Sequence, residues 1–418
     1  MATKIACIRE AANTSTGVQI LDAPSGWGTA NYAFVVCGRT DADSAGATGT
    51  DGISMCVGMT DGTRQGVGAF ASKHNADPAD AWSKGNTSRV ILLLNPDDGT
   101  VLADATFVAF PADGFRINWT TAPPAGYFVM VWLVQCRNAY VSTCVAEAGA
   151  VTAPGFRPNA WIGHMNGSGG HSFNDTLETE GAWAALGFAT ALPSLRQCGV
   201  SWSSVSGGSA PDNLSRPECT ARDDAVCQWD SGANAFTGRF AITSFDSGGF
   251  TINGVGTPDA TPYILYAALE FDGNTPAWCG IITSPTGATP QATAYRGMGL
   301  TPIAALHAAC FANSTNSVES DGDAATFSVS MHDGTSQFAM AVSEEDAQTP
   351  TDNQTLAEQK AIRIPTGTST QGPRGEHQSF DADGMTINWT FVSNAERRIA
   401  TLAIGRPRRP DRVRREAM

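Results

Sequence analysis

The sequence predicts an all-β protein made of three tandem β-sandwich, jelly-roll-like domains. Three observations carry that expectation. The segments FPADGFRINWT (110–120), FDSGGFTINGV (245–255) and FDADGMTINWT (380–390) recur, with Asn118, Asn253 and Asn388 each 135 residues apart. A fixed period of this kind points to repeated structural units. Within the motif, Phe115, Ile117 and Trp119 alternate with Arg116, Asn118 and Thr120, as Met385, Ile387 and Trp389 do with Thr386, Asn388 and Thr390. A period of two describes a strand with one buried face. Composition agrees: 44 glycines, 22 prolines and 16% charged residues suit short strands and many turns. A hydrophobic content of 42% excludes a disordered chain.

The elements of each copy follow in order. Paired strands come first, in ISMCVGMTDGTRQGVGAFAS (53–72), WAALGFATALPSLRQCGVSWSS (183–204) and FSVSMHDGTSQFAMAVSE (327–344). Asp61-Gly62 and Asp333-Gly334 sit where the first and third pairs reverse, because a tight turn needs residues that tolerate positive φ. The second copy has Leu192-Pro193 instead, so its turn must differ. Next come SRVILLLNP (88–96), AVCQWDS (225–231) and QKAIRIP (359–365), then the shared motif. The copies close with apolar strands in GYFVMVWLVQC (126–136), TPYILYAALEFDG (261–273) and ERRIATLAIG (396–405). Helical periodicity is nearly absent, with one helical turn expected in TLAEQKAI (355–362). These intervals place the domains at 1–137, 138–272 and 273–405, with an arginine-rich tail from 406 to 418. A 135-residue unit is long enough to bury its own two-layer core.

The formal net charge is −14. Six arginines against Asp411 and Glu416 give the tail +4 and leave −18 on the three domains. An acidic body of that size repels nucleic acid and anionic membrane. No apolar run reaches 18 residues, so no membrane span is expected. The N-terminal MATKIACIREAANTS has no apolar secretory core, which points to synthesis in a reducing cytoplasm without a signal peptide.

Candidate chemical sites are sparse. The ten cysteines include no Cys-x-x-Cys pair, and Cys7, Cys37, Cys56, Cys136, Cys198 and Cys310 lie in apolar runs as small hydrophobes. Cys219 and Cys227 flank a loop and form the one candidate bridge. His164, His171 and Asp175 in GHMNGSGGHSFND have the donor types of a transition-metal site. Neither histidine recurs in the other copies, so both read as surface-loop histidines. Asp41, Asp43 and Asp51, and Glu319, Asp321 and Asp323, resemble oxygen-rich cation loops without the full ligand spacing, and read as solvated turns. Asp113 and Asp383 are acids at equivalent motif positions; Gly248 replaces them in the second copy, and Asp beside Gly is a turn former. No nucleophile elbow, phosphate loop or His-Glu-x-x-His is present. The chain is therefore expected to have no catalytic residue, metal or cofactor.

The series DGTRQ (61–65), NTSR (86–89) and ILLLNPDDGTVLADATFVAFPADGFRINWTTA (91–122) resembles a β-rich domain of tailed-phage and prophage virion proteins. DNLSR (212–216), DNQTL (352–356) and the two later motif copies extend the resemblance over most of the chain. It implies a virion component exposed on head or tail, with no known enzymatic residues to carry over. The expected function is structural: a capsid decoration or head-surface protein, three domains clustered on a threefold site or stacked as a rod. Its partners would be other virion proteins or further copies of itself. The alternative is a tail fibre or adhesion protein binding host surface glycan, with Trp82, Trp202 and Trp229 as stacking platforms, although core packing suits each better. A hydrolase is a third, weaker class. The tail residues Arg406, Arg408, Arg409, Arg412, Arg414 and Arg415 are the expected partner-binding set, docking on an acidic protein surface.

Overall fold

The structure, a computed structural model, describes residues 2–39, 52–73, 80–145, 149–166, 177, 181–191, 194–205, 218–230, 236–255, 263–273, 275–319, 325–344, 353–365 and 372–408. These residues form strands and connections with no helix among them. Six antiparallel sheets pair into three sandwiches, each called a module below.

In the first module the strands are Lys4–Ala11 (β1), Gly17–Asp22 (β2), Tyr32–Arg39 (β3), Ile53–Thr60 (β4), Gln65–Ser72 (β5), Ala81–Asn86 (β6), Ile91–Leu94 (β7), Val101–Ala109 (β8), Gly114–Thr121 (β9) and Tyr127–Gln135 (β10). The second has Asn138–Val145 (β11), Gly149–Val151 (β12), Ala160–Asn166 (β13), Gly181–Thr190 (β14), Arg196–Val205 (β15), Glu218–Arg222 (β16), Cys227–Asp230 (β17), Phe236–Asp246 (β18), Gly249–Val255 (β19) and Tyr263–Glu270 (β20). The third has Ala277–Thr283 (β21), Gln291–Arg296 (β22), Leu300–Cys310 (β23), Val318–Glu319 (β24), Ala325–His332 (β25), Gln337–Glu344 (β26), Asn353–Glu358 (β27), Ile362–Arg363 (β28), Arg374–Asp381 (β29), Gly384–Phe391 (β30) and Arg398–Pro407 (β31).

One strand order serves all three. The large sheets run β1-β10-β3-β4-β5-β6, β11-β20-β13-β14-β15-β16 and β21-β31-β23-β25-β26-β27. The small sheets run β2-β9-β8-β7, β12-β19-β18-β17 and β22-β30-β29-β28. The short β24 departs from the pattern. It leaves its own module and extends the second module's large sheet by pairing with β16. The helical turn expected in 355–362 is not formed; Thr355–Glu358 lie in β27, paired with β26, because an open sheet edge claims their backbone groups.

The two layers bury their residues differently. Small-sheet strands alternate, as in β9, where Phe115, Ile117 and Trp119 are inside and Arg116 and Asn118 only part-buried. The central large-sheet strands are buried on both faces. In β3, Ala33, Val35 and Cys37 enter the first module's sandwich core, while Tyr32, Phe34 and Val36 enter a second core shared by all three modules. There Phe70 of the first module lies 5.4 Å from Trp202 of the second and 5.8 Å from Phe327 of the third, ring centroid to centroid. The three large sheets thus turn their outer faces onto one another around a common axis.

A repeated glutamine ties the layers of each sandwich. Strands β8, β18 and β29 each carry a bulge, at Phe107/Ala109, Ile242/Ser244 and His377/Ser379. A bulge leaves a backbone N–H without a ladder partner. The N–H groups of Phe107, Ile242 and His377 donate to the side-chain carbonyls of Gln65, Gln197 and Gln337, each at 2.8 Å.

Candidate functional site

The residues expected to carry chemistry are distributed as packing groups. His164, expected in a surface loop, is fully buried on β13, with Nδ1 3.0 Å from the Ala185 carbonyl. Its neighbours Trp161, Ile162 and Met165 are buried too and carry the strand to Asn166, so the glycine-rich stretch begins only after it. Burial pushes the imidazole down to about 4. His171, Asp175, Asp41, Asp43, Asp51, Asp321 and Asp323 lie outside the described residues. Glu319 falls in β24, opposite Cys219. Among the described residues no cluster of three His, Cys, Asp or Glu groups is arranged to hold a metal.

Cys219 and Cys227 are both free thiols and lie in separate cores, the shared one and that of the second module. Trp82 and Trp202 are buried, as is every tryptophan side chain among those described; the side chain of Trp229 lies outside the described ones. Asp113 and Asp383 belong to different modules and share one local task. Asp113 Oδ1 accepts the Gly28 N–H at 2.7 Å, and Asp383 Oδ1 accepts the Gly299 N–H at 2.6 Å. The backbone donors of Gly28 and Gly26 hold the Asp113 carboxyl below its ordinary range. Asp113 also adopts φ 61°, the turn conformation Asp tolerates.

Of the arginine set, Arg406 belongs to β31, opposite Thr301, so the last strand runs past the expected start of the tail. Arg408 forms a surface ion pair with Asp383, Nη1 to Oδ2 at 3.2 Å. Such a pair contributes about 0–1 kcal/mol. Arg409, Arg412, Arg414 and Arg415 lie outside the described residues.

The most developed surface-forming geometry is at the junctions between modules. Each uses the turn between the two strands of a hairpin pair against the first strand of the next module. The Asp61 carboxylate accepts the Val141 N–H at 2.9 Å, joining the β4–β5 turn to β11. Asp333 in the β25–β26 turn accepts the Cys7 N–H on β1 at 2.8 Å. The two donor positions are equivalent, since Cys7 faces Trp132 and Val141 faces Ala267 across matching strand pairs. Cys279, facing Leu402, is the corresponding residue of the third module. There the second module has Thr190 in place of the aspartate, with its Oγ1 3.6 Å from Cys279 Sγ.

A second contact recurs one step along. The Arg64 guanidinium stands 3.9 Å over the Tyr140 ring, and Arg196 stands 5.9 Å from the Trp278 ring. Ser336 and Ala6 occupy the matching positions at the third junction. The first junction has both contacts, the second the cation–π contact, and the third the carboxylate. First module binds second, second binds third, and third returns to first, so the head-to-tail order closes. β1, an edge strand of its sheet, is capped in this way, which protects backbone groups that would otherwise template pairing with another chain.

Sequence reasoning did not find these junctions. The signal for them was the continuous apolar character of runs such as YFVMVWLVQ in β10, which needs burial on both faces. No known protein-family model matches the chain, and no curated protein matches it.

Proposed function

We propose that this chain is a structural component of a tailed-phage particle, most specifically a capsid decoration or head-surface protein seated at a site of local threefold symmetry. The closed order of three like modules supports this reading. A shell lattice presents threefold and quasi-threefold positions, and a ring of three similar faces can match one with a single chain. Linking the modules covalently makes the second and third contacts intramolecular, so three weak docking contacts sum to firm attachment. The reading agrees with the burial of the described tryptophans, which offer no exposed indole for a sugar ring. The docking partner is another virion protein, with Arg408 and the arginines after it as the anchoring segment.

Imaging intact particles for the position and copy number of this chain is the direct test. The reading expects one chain per threefold or quasi-threefold shell position, and loss of head binding when residues 409–418 are deleted. Location at a fibre tip, or binding to host glycan that survives the deletion, would overturn it.

A further inference from the structure

The interior of the third module differs in chemistry from that of the first. Where the first module has Val35, Thr60 and Phe107, the third has His307, His332 and His377. The equivalence follows from register. His307 faces Thr401 as Val35 faces Val131, and His332 precedes the turn residue Asp333 as Thr60 precedes Asp61. The His377 N–H is held by Gln337 as the Phe107 N–H is held by Gln65.

The three rings form a column. His307 and His332 stack with centroids 5.2 Å apart and planes 13° apart, their Nε2 atoms 3.1 Å from each other. His332 and His377 follow at 4.6 Å. The inner end rests on Thr401, whose Oγ1 is 2.9 Å from His307 Nδ1. His307 and His332 are fully buried, while His377 is half-buried, so the column runs from the surface inward. Phe380 covers the outer two rings.

An Nε2···Nε2 hydrogen bond needs one proton between the two nitrogens. A fully protonated pair would set two N–H groups head to head. Little around the column compensates added charge. β23 contributes His307, β31 the neutral Thr401, β26 the neutral Gln337 and Ala339, and β30 Met385 and Ile387. β29 brings His377, with Asp381 beyond it, and the turn after β25 brings Asp333. On β28, Arg363 is already paired with Glu358 of β27. Both carboxylates that face the column, Asp333 and Asp381, are at its outer end.

Asp333 is also the acceptor that closes the ring on β1, at the one junction lacking both the cation–π contact and a direct chain connection. We propose that the histidine column is an acid-sensitive latch, whose protonation spreads the β25–β26 end of the third module, frees Asp333 from the Cys7 N–H, and opens the ring between third and first modules.

The sign follows from burial. Desolvation holds His307 down at about 3, keeps His332 well below its ordinary value, and lowers His377. An unfolded histidine binds its proton near pH ~6.5. Their contribution is therefore fully present above that pH and is lost as pH falls toward the folded values. Each fully buried histidine shifts the closed-to-open ratio about tenfold per pH unit within that window, so His307 and His332 together shift it roughly a hundredfold, with His377 adding in the same direction.

The test uses full-length protein and amide hydrogen exchange across a pH series, corrected for intrinsic rates. Protection of Lys4–Ala11 is expected to fall below pH ~6, ahead of that of Asn138–Val145, which belongs to the first-to-second junction. Replacing the column by the first module's own residues, His307→Val, His332→Thr and His377→Phe, should move the acid midpoint down by about one pH unit or more. His164→Gln, in the second module, should leave the Lys4–Ala11 midpoint in place. An unmoved midpoint in the triple variant, or loss of protection in both strands together, would overturn the proposal. If the triple variant does not fold, Asp333→Asn decides. It should raise Lys4–Ala11 exchange at pH 7.5, and unchanged protection there defeats the latch.

Discussion

Phe70→Ala is the sharpest test of the shared core. Phe70 is fully buried, with Trp202 of the second module at 5.4 Å and Phe327 of the third at 5.8 Å. Truncating a buried phenylalanine costs about 3–5 kcal/mol, and the value depends on how far the surroundings collapse into the gap. Here the walls belong to three different modules, each held by its own sandwich, so collapse is restricted. Two aromatic contacts are lost as well, each about 0.5–1.5 kcal/mol in ordinary pairs and partly counted in the truncation figure. A loss of about 4–5 kcal/mol is therefore expected. Urea denaturation followed by tryptophan fluorescence measures it, since Trp202 borders the cavity. The shared core predicts that every resolved unfolding transition moves to lower urea. A loss under about 2 kcal/mol, or a shift confined to one of several transitions, would refute the packing described here.

Other outcomes follow from single contacts. Gly187→Ala places a Cβ 1.7 Å from the Val226 carbonyl oxygen, which is backbone and cannot rotate away. Destabilisation of about 3 kcal/mol is expected by thermal or urea unfolding, and an unchanged midpoint would contradict the crossing. Asp61→Ala removes the acceptor of the Val141, Thr63 and Arg64 N–H groups and should cost about 1–2 kcal/mol, with faster exchange in Asn138–Val145. Arg196→Ala should cost about 0.5–1 kcal/mol through its contact with Trp278, whereas Ser336→Ala, with no ring to cover, should cost nothing measurable by the same unfolding assay. All ten cysteines are free and nine are buried, with burial pushing the part-buried Cys144 up to about 12. A thiol reagent at neutral pH should therefore label the native protein slowly and all ten sites rapidly after denaturation; rapid native labelling would contradict the burial.

Much of the fold was legible because strand signals are local. The alternation in FRINWT marks β9, and Asp61-Gly62 and Asp333-Gly334 mark turns the structure forms where expected. What the Asp side chains do beyond the turn was not legible. Asp61 Oδ1 serves its own turn while Oδ2 reaches a strand 80 residues on, and nothing local encodes the second contact. His164 was misplaced because glycines that follow it suggested a loop, whereas the strand holding it is buried on both faces. The histidine column was invisible for a different reason. His307, His332 and His377 sit on three strands, and only register brings their rings together. The junction arginines were hidden likewise, since Arg64 and Tyr140 meet only once two modules are docked.

The unequal junctions have a consequence for how such a molecule can change. In a trimer of identical subunits, any substitution is imposed three times, and a residue that harms one contact harms all of them. Joined in one polypeptide, the three sites are free to diverge. Thr190 stands where the other modules have an aspartate while Arg196 keeps the arginine, and Ser336 stands where the others have an arginine while Asp333 keeps the aspartate. One polypeptide carrying three like modules is thus an assembly whose corners can be tuned singly.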